Sequence, residues 1–188
     1  MAQPRLSVAD TALLVIDMQE RLKPTLLQWE RTLRRIRALV QAASILKLPV
    51  AATEQSPGSL GPTIEPLRAE LLQTGPIFEK TQFSAATAEV ESWLTAHGRT
   101  NVILCGIEGH VCVLQTALDF CQRGIQTFHC ADAIDCSQPD QFSGALTRMA
   151  RAGSVATGMT SAIYELMGNA KHPAFRDCLR VVKSGLSG

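Results

Sequence analysis

Short apolar runs alternate with amphipathic stretches along the whole chain. The apolar runs have the length of buried strands, and they predict six strands, at 12–16, 48–53, 76–79, 101–104, 125–129 and 153–157. Continuous apolar strands are typical of a parallel sheet that is covered on both faces. The pattern therefore predicts a sheet at the centre of the molecule.

The amphipathic stretches have the periodicity of helices. They predict helices at 29–46, 90–97, 112–121, 140–152, 160–167 and 174–182. The third helix has apolar residues at the spacing 0, 3, 4, 7, which places them on one helical face: Leu114, Ala117, Leu118 and Cys121. The stretch 55–66 is rich in Gly and Pro and predicts an ordered surface loop near a ligand or a flexible lid. A second loop is predicted at 130–139.

Strands that alternate with helices through the whole length predict the α/β class, with one domain over 1–188. The expected architecture is a single doubly wound, mostly parallel six-stranded sheet with helices on both faces. Right-handed crossovers and six strands are compatible with the order 3-2-1-4-5-6. In that order the first and fourth strands are neighbours at the topological switch point, where ligands bind beyond the carboxyl ends of the strands.

Composition narrows the range of partners. The chain has 188 residues, 46% of them apolar, and a net charge of +1 from 18 basic and 17 acidic residues, so no nucleic-acid partner is expected. Four arginines of helix 29–46 predict only a solvated helix face: Arg31, Arg34, Arg35 and Arg37. The first ten residues lack an apolar leader segment and no run of 18 apolar residues occurs, so we expect a cytoplasmic protein without membrane contact.

The six cysteines do not form a recognisable metal or redox motif. No pair has CxxC spacing and no Cys/His cluster resembles a zinc site, so we expect no metal. In a reducing compartment most of them are small buried apolar residues. Cys112 differs by position, because it follows a strand and a glycine-rich turn and begins a helix. Unpaired N–H groups and the positive end of the helix dipole favour a thiolate there.

Three side chains with complementary chemistry are predicted to meet at one edge of the sheet. Asp17 follows the first strand, Lys80 the third and Cys112 the fourth. A carboxylate can accept the thiol proton and pass it to a leaving amine, and a lysine keeps the carboxylate ionised. Backbone N–H groups of the turn before Cys112 can hold a developing oxyanion.

Each of the three also has a structural interpretation. Asp17 can cap the turn that contains Glu20, Lys80 can be a solvated loop lysine, and Cys112 can be a small residue packed under the sheet. His110 has two interpretations, a second base for Cys112 or a residue of the pocket wall. The second is favoured, because side chains two positions apart at the start of a helix seldom reach each other.

The chain resembles the isochorismatase-like cysteine hydrolases, which include nicotinamidases and several amidohydrolases. The resemblance rests on ALLVIDMQ around Asp17, EKTQFSA around Lys80 and LCGIEGHVCVLQTALD around Cys112. The segments TEQSPGSLGPTI and MGNAKHPAF are similar to the isochorismatase domain-containing subgroup. The resemblance implies that Asp17, Lys80 and Cys112 form a catalytic triad. It also implies that the peptide bond between Ile107 and Glu108 is cis.

The resemblance further implies that the N–H groups of Glu108 and Cys112 form the oxyanion hole. The Asp-x-His metal motif of nicotinamidases is absent here, because the corresponding stretch reads Thr53-Glu54-Gln55-Ser56. Neither a metal nor another cofactor is therefore expected. The presence of the cysteine favours hydrolysis of an amide or a similar carbonyl compound over cleavage of an isochorismate-type vinyl ether.

We accordingly predict a cysteine-dependent hydrolase that acts on a small amide, ureide or similar carbonyl compound through a thioester. The alternatives are a metal-free vinyl-ether hydrolase, in which Asp17 is a general acid, and a catalytically silent binding protein with the same fold. Candidate pocket residues are Glu54, Gln55, Phe83 and His110. The partners expected are a small-molecule substrate and further copies of the chain, as a dimer or tetramer.

Overall fold

The computed structural model of the protein describes residues 4–187. Residues 1–3 and 188 lie outside the described residues. They belong to the predicted single domain 1–188, and residues 1–3 also belong to the first ten residues, in which we expect no apolar leader segment. Among the described residues, no helix is both long and apolar enough to cross a membrane.

One six-stranded sheet forms the centre of the molecule. Its strands are β1 (Thr11–Ile16), β2 (Val50–Gln55), β3 (Ile77–Lys80), β4 (Asn101–Gly106), β5 (Gln126–Ile134) and β6 (Val155–Thr157). The spatial order is β3-β2-β1-β4-β5-β6, and every neighbouring pair is parallel. The predicted fold class and strand order are confirmed.

Within residues 4–187, eight α-helices connect and cover the strands. They are α1 (Trp29–Leu46), α2 (Pro57–Leu60), α3 (Leu67–Thr74), α4 (Ala88–Ala96), α5 (Leu114–Gln122), α6 (Pro139–Arg151), α7 (Met159–Met167) and α8 (Phe175–Leu186). Buried residues of α1, α3, α7 and α8 form one apolar cluster with one face of the sheet. Buried residues of α4, α5 and α6 form the cluster on the other face.

The two central strands are buried along their length because both faces are covered. All six residues of β1 are at most 1% exposed, and alternate side chains enter the two clusters: Leu13 and Val15 on one face, Leu14 and Ile16 on the other. Ile16 at the end of β1 is in register with Gly106 at the end of β4. The switch point between these strands is therefore where Asp17 emerges.

Several element boundaries differ from the predictions. The loop predicted at 130–139 is wrong in its first half, because β5 continues to Ile134 and pairs with Gly106 after an irregularity in register. Ala133 and Ile134 are buried in the core, but the polar residue Asp132 interrupts the apolar run. The helix α3 was not predicted, since the Pro-rich segment before it has the composition of a loop.

Two predicted helix faces are corrected by the packing. In α5 the core residues are Leu114, Ala117 and Phe120, whereas Leu118 and Cys121 are only half-buried. The arginines of α1 do not form a purely solvated face. Arg35 pairs with Asp132 at 3.3 Å, and Arg37 pairs with Glu70 at 2.7 Å.

The stretch 55–66 is an ordered segment attached to the end of β1. Gln19 is fully buried, and its side-chain amide donates to the carbonyls of Gln55 at 3.0 Å and Gly61 at 2.7 Å. The Ile64 N–H donates to the Met18 carbonyl at 2.9 Å. These contacts tie the stretch to the end of β1, and its residues Pro57–Leu60 form α2 instead of a loop.

Candidate active site

Asp17 leaves β1 in a left-handed conformation, with φ of 52°. Its backbone N–H donates to the Thr53 carbonyl at 3.1 Å, which keeps it attached to β2. One carboxylate oxygen accepts from the Thr53 hydroxyl at 2.7 Å, and the other accepts from Lys80 Nζ at 2.7 Å. Both oxygens are thus engaged at the sheet edge, and the side chain does not cap the turn Glu20–Thr25.

Lys80 ends β3, and its ammonium group is enclosed by acceptors. Besides Asp17, Nζ donates to Gln55 Oε1 at 2.8 Å and to the carbonyls of Phe83 at 3.0 Å and Gln82 at 3.3 Å. The side chains of Lys80 and Asp17 are each only 1% exposed. The alternative of a solvated loop lysine is therefore wrong.

Cys112 lies in a single π-type turn, Gly109–Val113, that joins β4 to α5. It is 7% exposed and packs in the same apolar cluster as Ile16 and Val113. It lies close enough to the Asp17 carboxylate and to the Glu108 N–H for both groups to shift the pKa of its thiol. The nucleophile candidate, the carboxylate and the lysine are therefore neighbours, although 63 and 32 residues separate them along the chain.

Burial controls the protonation of the thiol. Loss of hydration, reinforced by the negative charge of Asp17, raises the pKa of Cys112 to about 12, although Lys80 and the Glu108 N–H lower it. The prediction that the helix start favours a thiolate is therefore wrong for the resting protein.

Burial also raises the pKa of Asp17 above its usual range. Lys80, Thr53 and Cys112 oppose this shift through their charge and hydrogen bonds. A carboxylate with a raised pKa is a better proton acceptor than an ordinary aspartate. A protonated thiol next to such a carboxylate is a pair in which the proton can move as the sulfur attacks.

The turn before Cys112 has the backbone conformation that the resemblance implies. The Ile107–Glu108 peptide is cis. The Ile107 N–H donates to the Ile16 carbonyl at 2.9 Å, and the Gly109 N–H donates to the Asp135 carbonyl at 2.8 Å. The turn is therefore held between the end of β1 and the end of β5.

The four candidate pocket residues have different surroundings. Gln55 contacts Lys80, as described above, whereas the Glu54 carboxylate points to the other face of β2 and accepts from the N–H and hydroxyl of Thr63 at 2.7 and 2.8 Å. Phe83 is 54% exposed, and its carbonyl contacts Lys80. The His110 side chain is 11% exposed, and its Nδ1 lies 3.9 Å from Glu108 Oε2.

Three residues that hold the site were missed, and one of them is Thr53, whose hydroxyl donates to the Asp17 carboxylate. Gln19 exchanges hydrogen bonds with the backbone of Gln55, and the Thr116 hydroxyl donates to the Cys112 carbonyl at 2.6 Å. Thr116 lies four residues after Cys112, and this spacing was a usable signal, because a helical threonine often bonds the carbonyl four residues earlier. Gln19 carried no comparable signal, since its partners are distant in the sequence.

A cavity of about 830 Å³ adjoins the site on the side of Lys80. Its lining includes Ser56, Glu79, Thr87 and Glu89, but neither Asp17 nor Cys112. Within residues 4–187, no group of three or more His, Cys, Asp or Glu side chains has the arrangement of a metal site. The site thus consists of the Asp17–Lys80 pair and the adjacent thiol.

Comparison with known proteins gives consistent matches over most of the chain. A model of the isochorismatase domain matches residues 11–161. Isochorismatase domain-containing protein 2 of Danio rerio is 38% identical over 180 residues, which is 95% of this chain and 89% of that protein. The structure of MAR1 ribonuclease from Caenorhabditis elegans is 34% identical, with a TM-score of 0.91 and 98% of each chain covered.

A more distant structure is similar in fold alone. The YcaC gene product from Escherichia coli, an octameric hydrolase of unknown specificity, is 22% identical with a TM-score of 0.88, over 98% of this chain and 93% of that one.

The matched domain 11–161 includes the strands β1, β3 and β4 and the three side chains that meet at their ends. This chain belongs to the isochorismatase family of hydrolases.

Proposed function

We propose that the protein hydrolyses a small amide, ureide or similar carbonyl compound, with Cys112 as nucleophile, Asp17 as general base and acid, and Lys80 as the residue that holds Asp17. The observation that carries this proposal is the position of the Asp17 carboxylate, 2.7 Å from Lys80 Nζ and beside the Cys112 thiol. Because the resting thiol is protonated, attack requires a base in contact with it, and Asp17 is that base.

The first half of the reaction forms a thioester. The Cys112 sulfur bonds to the carbonyl carbon, its proton passes to Asp17, and the carbonyl electron pair moves to oxygen. Backbone N–H groups of Glu108 and Cys112 hold this oxyanion; in other hydrolases the loss of one such donor costs about 3 kcal/mol of transition-state stabilisation. The carbon–nitrogen bond then breaks, and Asp17 returns its proton to the leaving nitrogen.

The second half releases the acid. Asp17 accepts a proton from a water molecule as the water oxygen bonds to the thioester carbon. The carbon–sulfur bond breaks, and the sulfur takes up the proton, so that thiol and carboxylate return to their starting states. Lys80 keeps its hydrogen bond to Asp17 throughout and limits the rotation of the carboxylate.

A screen of small amides, ureides and carbamoyl compounds, read out by ammonia release, tests the proposal. We expect Cys112→Ala to lower turnover on the order of 10³-fold or more for any substrate found. Retained ammonia release in this variant would exclude Cys112 as the nucleophile. Cleavage of an isochorismate-type vinyl ether by the same variant would favour vinyl-ether hydrolysis with Asp17 as general acid. Turnover of none of the compounds by the wild-type protein, together with no thioester in a mass spectrum, would support the catalytically silent alternative.

An RNA substrate is not favoured, although three of the similar solved structures are named as ribonucleases. Polyanion binding requires clustered basic side chains, whereas the cavity beside Lys80 is bordered by the acidic residues Glu79, Glu89 and Glu91. Its other basic residue, Arg123, is paired with Glu91. Incubation of the protein with a mixed-sequence RNA under the same conditions is the direct control.

Homo-oligomer formation is part of the proposal. The octameric state named for the YcaC product supports it; the number of copies expected from the sequence is two or four. Light scattering of the eluting protein checks this expectation. A mass equal to the 20.3 kDa of one chain would contradict it.

A cytoplasmic location is also proposed. All six cysteines are free thiols, and none forms a disulfide in the described part of the chain. Free thiols of this number are typical of a reducing compartment. Microscopy of a tagged chain in its own cells tests the location.

A further inference from the structure

Thr116 occupies a position between the nucleophile and the loop that holds the lysine. Its side chain is 0% exposed, in the first turns of α5. The hydroxyl donates to the Cys112 carbonyl at 2.6 Å and accepts from the Ala85 N–H at 2.8 Å. One oxygen atom therefore joins the turn that carries the thiol to the segment after β3.

The segment that contains Ala85 also determines where the Lys80 ammonium lies. Phe83 and Gln82 provide two of the four acceptors of Nζ, through backbone carbonyls only two and three residues before Ala85. A shift of this backbone would move those acceptors, and with them the ammonium that contacts Asp17. The chain of contacts runs from Cys112 through Thr116 and Ala85 to Lys80.

Resting on the function proposed above, we infer that Thr116 is a positioning residue that keeps Cys112 in register with the Asp17–Lys80 pair. Its hydroxyl donates a hydrogen bond to one segment and accepts a hydrogen bond from the other. Among small side chains, only those of Ser and Thr provide a hydroxyl that can do both. Without it, the Ala85 N–H is left as a buried donor without that partner, and such groups drive local rearrangement.

The test compares acylation of Cys112 by p-nitrophenyl acetate in four proteins, with Cys112→Ala as background. Thr116→Val keeps the shape of the side chain and removes the hydroxyl, whereas Thr116→Ser keeps the hydroxyl. Thr127→Val is the matched control, because Thr127 is also 0% exposed but its hydroxyl contacts Cys121 at 3.2 Å, away from the site. The fourth protein is wild type. Nitrophenolate release gives the rate, and the mass of the Cys112 peptide confirms the site.

We expect Thr116→Val to lower the saturating acylation rate about tenfold or more, with half-saturation within about twofold of wild type, because small misplacements of reacting groups reduce the rate strongly. Thr116→Ser and Thr127→Val should stay within about threefold of wild type. If Thr116 had a role in packing alone, Thr116→Val would raise the acylation rate instead of lowering it. Loosening of the turn would then expose the Cys112 thiol and speed its modification.

Three results would overturn the inference. The first is an unchanged acylation rate in Thr116→Val, and the second is a loss of rate in Thr116→Ser equal to that in Thr116→Val. The third is that Thr116→Val and Thr116→Ala fail to fold while Thr116→Ser folds, because the hydroxyl would then be a requirement of folding. Failure of the proposed function is distinct from these. In that case wild-type Cys112 itself is not acylated faster than the background.

Discussion

Asp17 combines full burial with a negative charge, and only its neighbours make this tolerable. Lys80 at 2.7 Å and the Thr53 hydroxyl at 2.7 Å replace the water that the carboxylate has lost. Removal of one partner from a buried ion pair leaves the other charge uncompensated, at a cost of about 3–5 kcal/mol. The geometry of the candidate site and the stability of the sheet edge therefore depend on the same pair.

Asp17→Asn should lower the free energy of unfolding by about 3–5 kcal/mol. The reason is that Lys80 keeps its charge but loses its carboxylate. Urea denaturation followed by circular dichroism measures the change. The double variant Asp17→Asn/Lys80→Met removes both charges and should recover a large part of the loss; a double variant as unstable as the single one would show that the pair is not the cause.

The protonated state of Cys112 leads to a pH prediction. With a pKa of about 12, the thiolate fraction rises tenfold per pH unit through the neutral range, so direct alkylation must accelerate steadily as the pH increases. We expect the logarithm of the rate of iodoacetamide modification at Cys112 to rise with a slope of about 1 from about pH 6 to about pH 9. A plateau near neutral pH has two explanations, a resting thiolate or proton transfer to Asp17 during alkylation. A plateau that persists in Asp17→Asn, which lacks this base, would indicate a resting thiolate and contradict the assignment.

At the scale of elements, the site depends on how closely the ends of β1 and β4 approach each other. Gly106 has a φ of 117°, and a Cβ atom there would lie 2.1 Å from the Ile16 carbonyl oxygen and 2.6 Å from the Ile16 nitrogen. Asp17 follows Ile16, and the turn with Cys112 follows Gly106. The absence of a side chain at Gly106 therefore allows the carboxylate and the thiol to meet.

Gly106→Ala should destabilise the protein on the order of 3 kcal/mol or more, since it combines an unfavourable φ with a backbone clash. Gly124→Ala is the matched control. Gly124 also has a positive φ, 77°, but nothing lies within 4 Å of its Cβ position, so only the conformational cost of about 1–2 kcal/mol applies. Equal losses of thermal stability in the two variants would show that the close approach to Ile16 is unimportant.

The whole molecule buries its thiols to very different degrees. Cys105, Cys130 and Cys178 are 0% exposed, whereas Cys121 is half-buried. All three belong to the apolar cluster on the face of the sheet that α1, α3, α7 and α8 cover. A reagent therefore reaches them only after a large opening of the structure.

Titration with an aromatic disulfide reagent should therefore separate the cysteines. In native protein, Cys121 should react first, and the three fully buried thiols should react at rates that follow the equilibrium of unfolding. In denaturant all six cysteines should react together. Peptide mass mapping after partial modification identifies the sites, and early labelling of Cys105 would contradict the packing.

Periodicity was sufficient wherever a contact pattern is local. The helix Trp29–Leu46 was predicted with the observed bounds, because its apolar stripe repeats over five turns. The strand order followed from alternating elements and the handedness of crossovers. The end of β5 was not predictable in this way, since Ala133 and Ile134 are strand residues only through their pairing and burial against distant parts of the chain.

The sequence by itself determined the α/β class, the strand order and the identity of Asp17, Lys80 and Cys112 as the side chains to be brought together. Only the tertiary structure decided that burial raises the pKa of the Cys112 thiol, that Glu54 turns away towards Thr63, and that Thr116 joins two segments of the site. The physical reason is that a pKa and a hydrogen bond depend on burial and on the distance to groups far away in the chain. Patterns along the sequence report faces and turns, whereas desolvation and pairing arise only when the elements pack.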